Sequence, residues 1–117
     1  MGFLTERGEM NYRYTVRAAF QHAATANEWV NWLQTSHCQE VLDSGALSYE
    51  ILALDSEEQT FEVRYIFANR NAFATYENDH AERLRADGLE RFPTARGIAY
   101  TRSTRYLLAR SRESNTL

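Results

Sequence analysis

The sequence predicts an α+β domain in which two helices cover one face of a four-stranded antiparallel sheet. Four runs show the two-residue alternation of β-strands, and two longer segments carry apolar residues at helical spacing, in the order βαββαβ. Right-handed crossovers and short connections fold this order most simply into a ferredoxin-like sandwich. The chain has 117 residues, of which 44% are hydrophobic, so we expect a single domain over residues 10–109.

The first strand is predicted over residues 12–20, where aromatic and aliphatic side chains alternate with arginine and threonine. Residues 1–9 show no periodicity, and Met10 directly precedes the strand pattern. We therefore expect residues 1–9 to be a disordered leader or an appendage to the domain.

The first helix is predicted from about Thr25 to Asp43. Thr25 and Glu28 have the spacing of a capping box, and Gly45 is placed to end the helix. An apolar stripe on this helix contains one polar residue, His37, which is either structural or part of a site. The stripe consists of Trp29, Val30, Leu33, His37 and Val41.

The second and third strands are predicted as a hairpin over residues 47–54 and 60–68. Asn69 is placed as the N-cap of a second helix, which should bend near Gly88 and end before Pro93. The face of this helix that meets the sheet is predicted to carry Phe73, Tyr76, His80 and Leu84.

The fourth strand is predicted over residues 97–109, and the polar tail of residues 110–117 is expected to fray. The sheet face without helices mixes charged and aliphatic side chains, so it is too aliphatic for a free surface and too charged for a core. We therefore predict a homodimer, a dimeric α+β barrel in which two such faces meet. This face should carry Arg13, Arg17, Glu50, Leu52, Leu54, Glu62, Arg64, Ile66, Arg105 and Leu107.

Composition argues against several classes of protein. No apolar stretch is long enough to span a membrane, and no signal peptide is recognisable, so we expect a cytoplasmic protein without a membrane partner. The net charge of −3 argues against nucleic-acid binding. RNA-recognition domains share the βαββαβ order, but they expose aromatic residues where this sheet offers arginine, glutamate and isoleucine. Cys38 is the single cysteine and is expected as a small packing residue toward the edge of the first helix.

The order and spacing of several residues resemble a family of short bacterial proteins known as a domain of unknown function. The resemblance spans roughly residues 10–109 and implies a ferredoxin-like fold akin to the dimeric α+β barrels, without an established activity. It rests on Tyr12-x-Tyr14, Trp29-x2-Trp32-Leu33-x3-His37-x3-Val41-Leu42-x2-Gly45, Tyr65, Tyr76-x3-His80-x3-Leu84-Arg85 and Arg91-Phe92.

Two histidines and two tyrosines form the first candidate site. His37 and His80 are predicted on the inner faces of the two helices, above strands that carry Tyr14 and Tyr65. Imidazoles beside phenols can move protons on a small substrate, as in cofactor-independent isomerases or monooxygenases. The alternative is that each histidine is a buried structural residue with an internal hydrogen-bond partner. Trp32 flanks the apolar stripe and could reach a partner or the rim of a pocket.

Arginines form the second candidate site. Arg13, Arg17, Arg64 and Arg105 could bind a carboxylate or phosphate on the open sheet face, although ion pairs with glutamates on the same face are the simpler interpretation. Another basic group should form a solvated helix face; it consists of Arg83, Arg85, Arg91 and Arg96. No metal site is expected, because His22, Glu77 and Asp79 lack the spacing of metal ligands.

These observations favour a homodimeric small-ligand-binding or interaction domain without catalytic activity and without a cofactor. The ligand would be a small anionic or aromatic molecule. The alternative is a cofactor-independent isomerase or monooxygenase that acts through His37 and His80, with Tyr14 or Tyr65.

Overall fold

The structure is a computed structural model and describes residues 10–111. The predicted leader, residues 1–9, lies outside the described residues, and so do residues 112–117 of the predicted tail. The four strands are β1 (Tyr12–Phe20), β2 (Ser48–Ala53), β3 (Thr60–Phe67) and β4 (Ile98–Tyr106). The first helical arm comprises α1 (Ala23–Trp32), a π-helical turn (Leu33–His37) and α2 (Cys38–Asp43). The second helical arm comprises α3 (Arg70–Tyr76), a π-helical turn (Glu77–Ala81) and α4 (Glu82–Arg91), and a short 3₁₀ turn (Thr94–Arg96) leads into β4.

The strands form one antiparallel sheet in the order β2-β3-β1-β4. Tyr14 of β1 lies opposite Tyr65 of β3 on one side and Thr104 of β4 on the other. Alternate residues of β1 and β3 are buried together with the apolar faces of both helical arms. The predicted ferredoxin-like α+β sandwich is therefore confirmed.

The ends of the helical arms are only partly as predicted. Asn69 is the N-cap of the second arm, where its side-chain oxygen accepts a hydrogen bond from the backbone amide of Ala72 at 2.8 Å. Gly45, with φ 123°, follows the first arm and takes a backbone conformation that favours glycine. The predicted capping box is wrong: the first arm has His22 as its N-cap, and Thr25 is buried inside the first turn.

The π-helical turns change which residues of the two arms face the sheet. A π turn takes in about one more residue than an α turn, so the side chains after it are rotated relative to regular helical spacing. In the first arm, Leu33 is followed in the core by Cys38, which is fully buried, while His37 is half-buried. In the second arm, Ala81 is buried and His80 is half-buried. The predictions that Cys38 lies at the helix edge and that His80 lies on the buried face are therefore wrong.

The helical arms are short elements that pack on the sheet. No helix within residues 10–111 has both the length and the apolar character needed to cross a membrane.

Candidate functional site

A narrow pocket lies between the helical arms and the sheet. Its cavity volume is ≈ 60 Å³, within a free space of ≈ 510 Å³ that includes the open mouth. The pocket is therefore a slot that accepts a few water molecules or a thin ligand. Its aromatic and polar lining residues are Tyr14, Trp29, Trp32, His37, Tyr65, Tyr76, Arg85, Tyr100 and Arg102.

His37, the last residue of the first π-helical turn, lines this pocket. Its ring stacks on Trp32, with ring centroids 4.3 Å apart and planes inclined by 19°. Burial lowers the pKa of His37 to about 4, although the negative charge of Asp87 acts to raise it. The imidazole is therefore neutral at pH 7.

Tyr14 lies at the centre of the polar side of the pocket. Its hydroxyl oxygen accepts hydrogen bonds from Arg85 Nη2 at 3.2 Å and from Arg102 Nε at 3.0 Å. The guanidinium of Arg85 also lies 5.6 Å from the centroid of the Tyr14 ring and forms an ion pair with Glu77. Because the Tyr14 oxygen accepts both bonds, its own O–H group can donate to a further acceptor.

Tyr65, which lines the pocket, contacts the buried thiol of Cys38 behind it. The Tyr65 hydroxyl and Cys38 Sγ are 3.6 Å apart, and either atom could be the donor. Burial raises the pKa of Cys38 to about 11, although its contact with Tyr65 acts in the opposite direction. Burial likewise raises the pKa values of Tyr65 and Tyr76 above their usual range. These groups are protonated at pH 7, so Cys38 does not have the thiolate character of a nucleophile.

The structure brings together three of the four residues predicted for proton transfer. His37, Tyr14 and Tyr65 line the pocket, whereas His80 is not among its lining residues. The second π-helical turn explains this difference, because it places Ala81 on the buried face in place of His80. Trp32 lines the pocket as the sequence suggested.

Two polar residues of the pocket were not predicted. Arg85 was expected on a solvated helix face but extends over Tyr14. Arg102 was not among the predicted site residues, although strand alternation could have identified it. Arg102 lies opposite Val16 across β1 and β4, and Val16 lies on the helix-covered face.

The predicted arginine group on the open sheet face divides into two pairs. Arg17 and Arg64 both bind the carboxylate of Glu62, each at 2.8 Å, and the side chain of Glu62 is only 7% exposed. The simpler interpretation, ion pairs on this face, is thus correct for these two residues. Arg13 and Arg105 lie opposite each other across β1 and β4, and Arg13 Nε is buried without a hydrogen-bond partner among the described residues.

Within residues 10–111, no group of three or more histidine, cysteine, aspartate or glutamate side chains is placed to hold a metal ion.

Unpaired polar atoms are concentrated at the pocket. Within residues 10–111, four buried side-chain nitrogen or oxygen atoms have no hydrogen-bond partner, and three of them belong to pocket residues: Trp32 Nε1, His37 Nδ1 and Arg85 Nε. Buried polar groups in folded proteins are nearly always hydrogen-bonded, so such a cluster needs an explanation. A polar ligand or ordered water in this pocket would supply partners once small shifts of these side chains expose their nitrogen atoms.

The family model described as "Domain of unknown function (DUF4286)" matches residues 11–104. The chain belongs to this family. The resemblance inferred from the spacing of aromatic and histidine residues is thus confirmed. No curated protein matches the sequence.

Solved structures of the same fold include proteins of several kinds. A dimeric ferredoxin-like protein from an uncultured marine organism is 12% identical, with a TM-score of 0.65 over 88% of this chain and 100% of that chain. A monooxygenase from the gene ActVA-Orf6 of Streptomyces coelicolor, in complex with Nanaomycin D, is 13% identical, with a TM-score of 0.65 over 92% of this chain and 95% of that chain. SnoaB, a cofactor-independent oxygenase from Streptomyces nogalater, is 10% identical, with a TM-score of 0.58 over 90% and 96%. At these identities the likeness concerns the fold.

Proposed function

We propose that this protein binds a small anionic or aromatic molecule in the pocket between the helical arms and the sheet. The observation that carries the proposal is that three side chains lining one aromatic slot, those of Trp32, His37 and Arg85, each hold a buried nitrogen without a hydrogen-bond partner among the described residues. Leaving a buried polar group unpaired costs about 1–3 kcal/mol, so a ligand that pairs with these atoms gains affinity. A solved structure of the same fold is a complex with Nanaomycin D, which supports a ligand-binding role for this fold.

The two histidines provide a matched test of this proposal. Thermal-shift and tryptophan-fluorescence titrations of the full chain with small aromatic carboxylates, amides and phenols should find ligands that bind the wild type. We expect His37→Ala to weaken their binding about tenfold, the effect of one buried hydrogen bond and lost ring contact. His80→Ala should leave binding unchanged, because His80 does not line the pocket. Equal effects of the two substitutions, or no binding by any of these compounds, would contradict the proposal.

We also propose that the protein is a homodimer in which the open sheet faces of two copies meet. Leu52 and Ile66 are half-buried on this face beside the charged residues. Two solved structures of the same fold are described as dimeric ferredoxin-like proteins. An antiparallel sheet with one face covered by helices leaves the other face for solvent or for a partner.

A cofactor-independent enzyme is the second candidate function. The neutral imidazole of His37 lies in a pocket with tyrosine hydroxyls and could accept a proton from an acidic C–H or O–H group. A base whose conjugate acid has a pKa of about 4 is weak, which ranks this function below binding. Deuterium incorporation from D₂O into 2-tetralone, followed by mass spectrometry, tests it. Catalysis should disappear in His37→Ala, and exchange at the uncatalysed rate with the wild type would exclude the activity for this substrate class.

A further inference from the structure

The charges around the pocket are balanced except at one position. Arg85 forms an ion pair with Glu77, and Asp87, whose charge acts on His37, forms an ion pair with Arg91 at 3.4 Å. Arg102 differs from these groups: among the described residues no carboxylate pairs with it, and its Nε donates to the Tyr14 hydroxyl. The pocket therefore has one cation that is free to bind an anion.

Arg102 is placed where it can meet a ligand that enters the pocket. Its side chain is exposed, yet its guanidinium reaches the Tyr14 hydroxyl, so it lies on the rim of the slot. The guanidinium of Arg102 and the O–H of Tyr14 are neighbouring donors, because Arg102 Nε binds the Tyr14 hydroxyl oxygen. A carboxylate would accept from both, with the charge-assisted geometry that guanidinium groups favour.

The aromatic lining of the pocket favours a ligand in which that carboxylate is attached to a planar ring system. The rings of Tyr14 and Tyr65 are stacked, with centroids 6.0 Å apart and planes inclined by 23°. Trp32 and His37 form a second stacked pair that lines the same slot. Aromatic ligands gain from offset stacking and edge contacts with such rings, and the small free volume excludes branched or globular molecules.

We propose that the pocket selects planar aromatic monocarboxylates, with Arg102 binding the carboxylate at the rim and the stacked rings holding the aromatic body. This inference rests on the proposed ligand-binding function and adds the charge and shape of the ligand. A dianion is disfavoured, because the carboxylates of Glu77 and Asp87 lie near the other polar groups of the pocket.

Matched ligands test the inference on the full chain by calorimetry or fluorescence titration. We expect the wild type to bind 2-naphthoate about tenfold more tightly than 2-naphthamide, as one charge-assisted hydrogen bond provides. The dianion 2,6-naphthalenedicarboxylate should bind more weakly than 2-naphthoate. Equal affinity of the wild type for the acid and the amide would overturn the inference while leaving the proposed ligand-binding function intact. Failure of all three compounds to bind would contradict both.

Substitutions of two arginines on β4 then test which side chain binds the carboxylate of the ligand. Arg102→Gln should lower the affinity for 2-naphthoate about tenfold and bring the ratio of acid to amide affinity close to one. Arg105→Gln is the control, since Arg105 is also exposed on β4 but belongs to the opposite face of the sheet. The preference for the acid should persist in Arg105→Gln. A preference that survives in Arg102→Gln, or that disappears equally in both variants, would overturn the role of Arg102.

Discussion

His37 shows how much one side chain depends on its surroundings in this protein. The ring is half-buried, stacked on Trp32, and has no partner for Nδ1 among the described residues. Desolvation disfavours the charged imidazolium, and the negative charge of Asp87 does not compensate for it. Helical spacing places His37 on an apolar face, but its protonation state follows from the packing around it.

The pH dependence of stability tests the state of His37. Its pKa is about 4 in the folded protein and about 6.5 in the unfolded chain. The unfolded state therefore binds more protons between these values, so stability is complete above about pH 6.5 and falls as the pH drops towards 4. We expect a loss of at most about 3 kcal/mol, measured by urea unfolding at pH 7 and pH 4.5.

The His37→Gln variant is the control for this loss. Its unfolding free energy should fall less between the two pH values than that of the wild type, because the titrating group is absent. NMR titration of the imidazole signal that disappears in His37→Gln should give a midpoint near 4. A midpoint near the unperturbed value of about 6.5 would refute the proposed burial of the neutral ring.

The two π-helical turns are the decisive feature among the secondary-structure elements. Each contains a histidine that directly precedes a small, fully buried residue: His37 before Cys38 and His80 before Ala81. His37 lines the pocket, as regular helical spacing also predicted, whereas the shift in spacing at the second turn places Ala81 on the buried face and His80 outside the lining. π turns in helices are often found at functional sites, and here one of them supplies a candidate binding residue.

Gly88 of α4 controls how closely the two helical arms approach at the pocket. A Cβ atom at this position would lie 3.2 Å from Cη2 of Trp32, so the indole would have to move by a few tenths of an ångström. Alanine gains about 0.5–1 kcal/mol over glycine in a helix, which offsets the crowding. We expect Gly88→Ala to change unfolding free energy by less than about 1 kcal/mol while weakening ligand binding and shifting tryptophan emission. Glu90→Ala, at an exposed position of the same helix, should change neither.

Glu62 forms ion pairs with two arginines on the open face of the sheet. Burial opposes ionisation of this carboxylate, but hydrogen bonds from Arg17 and Arg64 lower the pKa of Glu62 below its usual value of 4.5. We expect Glu62→Gln to destabilise the protein by about 1–3 kcal/mol at pH 7, since it leaves two guanidinium groups without their shared anion.

This destabilisation should depend on pH and on position. A carboxylate with a lowered folded pKa stabilises the fold above its unfolded pKa, and the effect is lost as the pH falls through the folded value. The difference between wild type and Glu62→Gln should therefore shrink in urea unfolding below about pH 4. Glu57→Gln is the control, because Glu57 is 55% exposed and lies 3.9 Å from Arg17; it should cost less than about 0.5 kcal/mol. A cost for Glu57→Gln equal to that for Glu62→Gln would contradict the assignment.

At the scale of the whole molecule, the open sheet face determines the proposed assembly. Sedimentation equilibrium at micromolar concentration should give twice the mass of the chain. Leu52→Asp places a charge on the half-buried part of this face, and we expect it to yield a monomer because an unpaired charge in an interface is costly. Leu47→Asp is the control: Leu47 is 61% exposed and precedes β2. A monomeric wild type, or a dimeric Leu52→Asp variant, would contradict the facing-sheet dimer.

Much of the architecture followed from local sequence patterns. Strand alternation predicted both ends of β1 correctly. It also assigned Glu62 and Arg64 to the open face, since side chains of a strand alternate with a period of two. The N-cap at Asn69 was also predictable, because capping depends on one side chain and the amides next to it. The order of these elements was then sufficient for the fold, as few connections are compatible with it.

Only the tertiary structure decided what the pocket contains. Regular helical spacing predicted His80 beside His37, but the π-helical turns rotate the helix faces, and nothing in a period of 3.6 residues reveals them. Arg85 and Arg102 meet at Tyr14 across separations of 71 and 88 residues. Such a contact depends on the packing of a helix and an edge strand on β1. The sequence by itself therefore determined the layers of this protein, and packing between those layers determined which polar groups share the pocket.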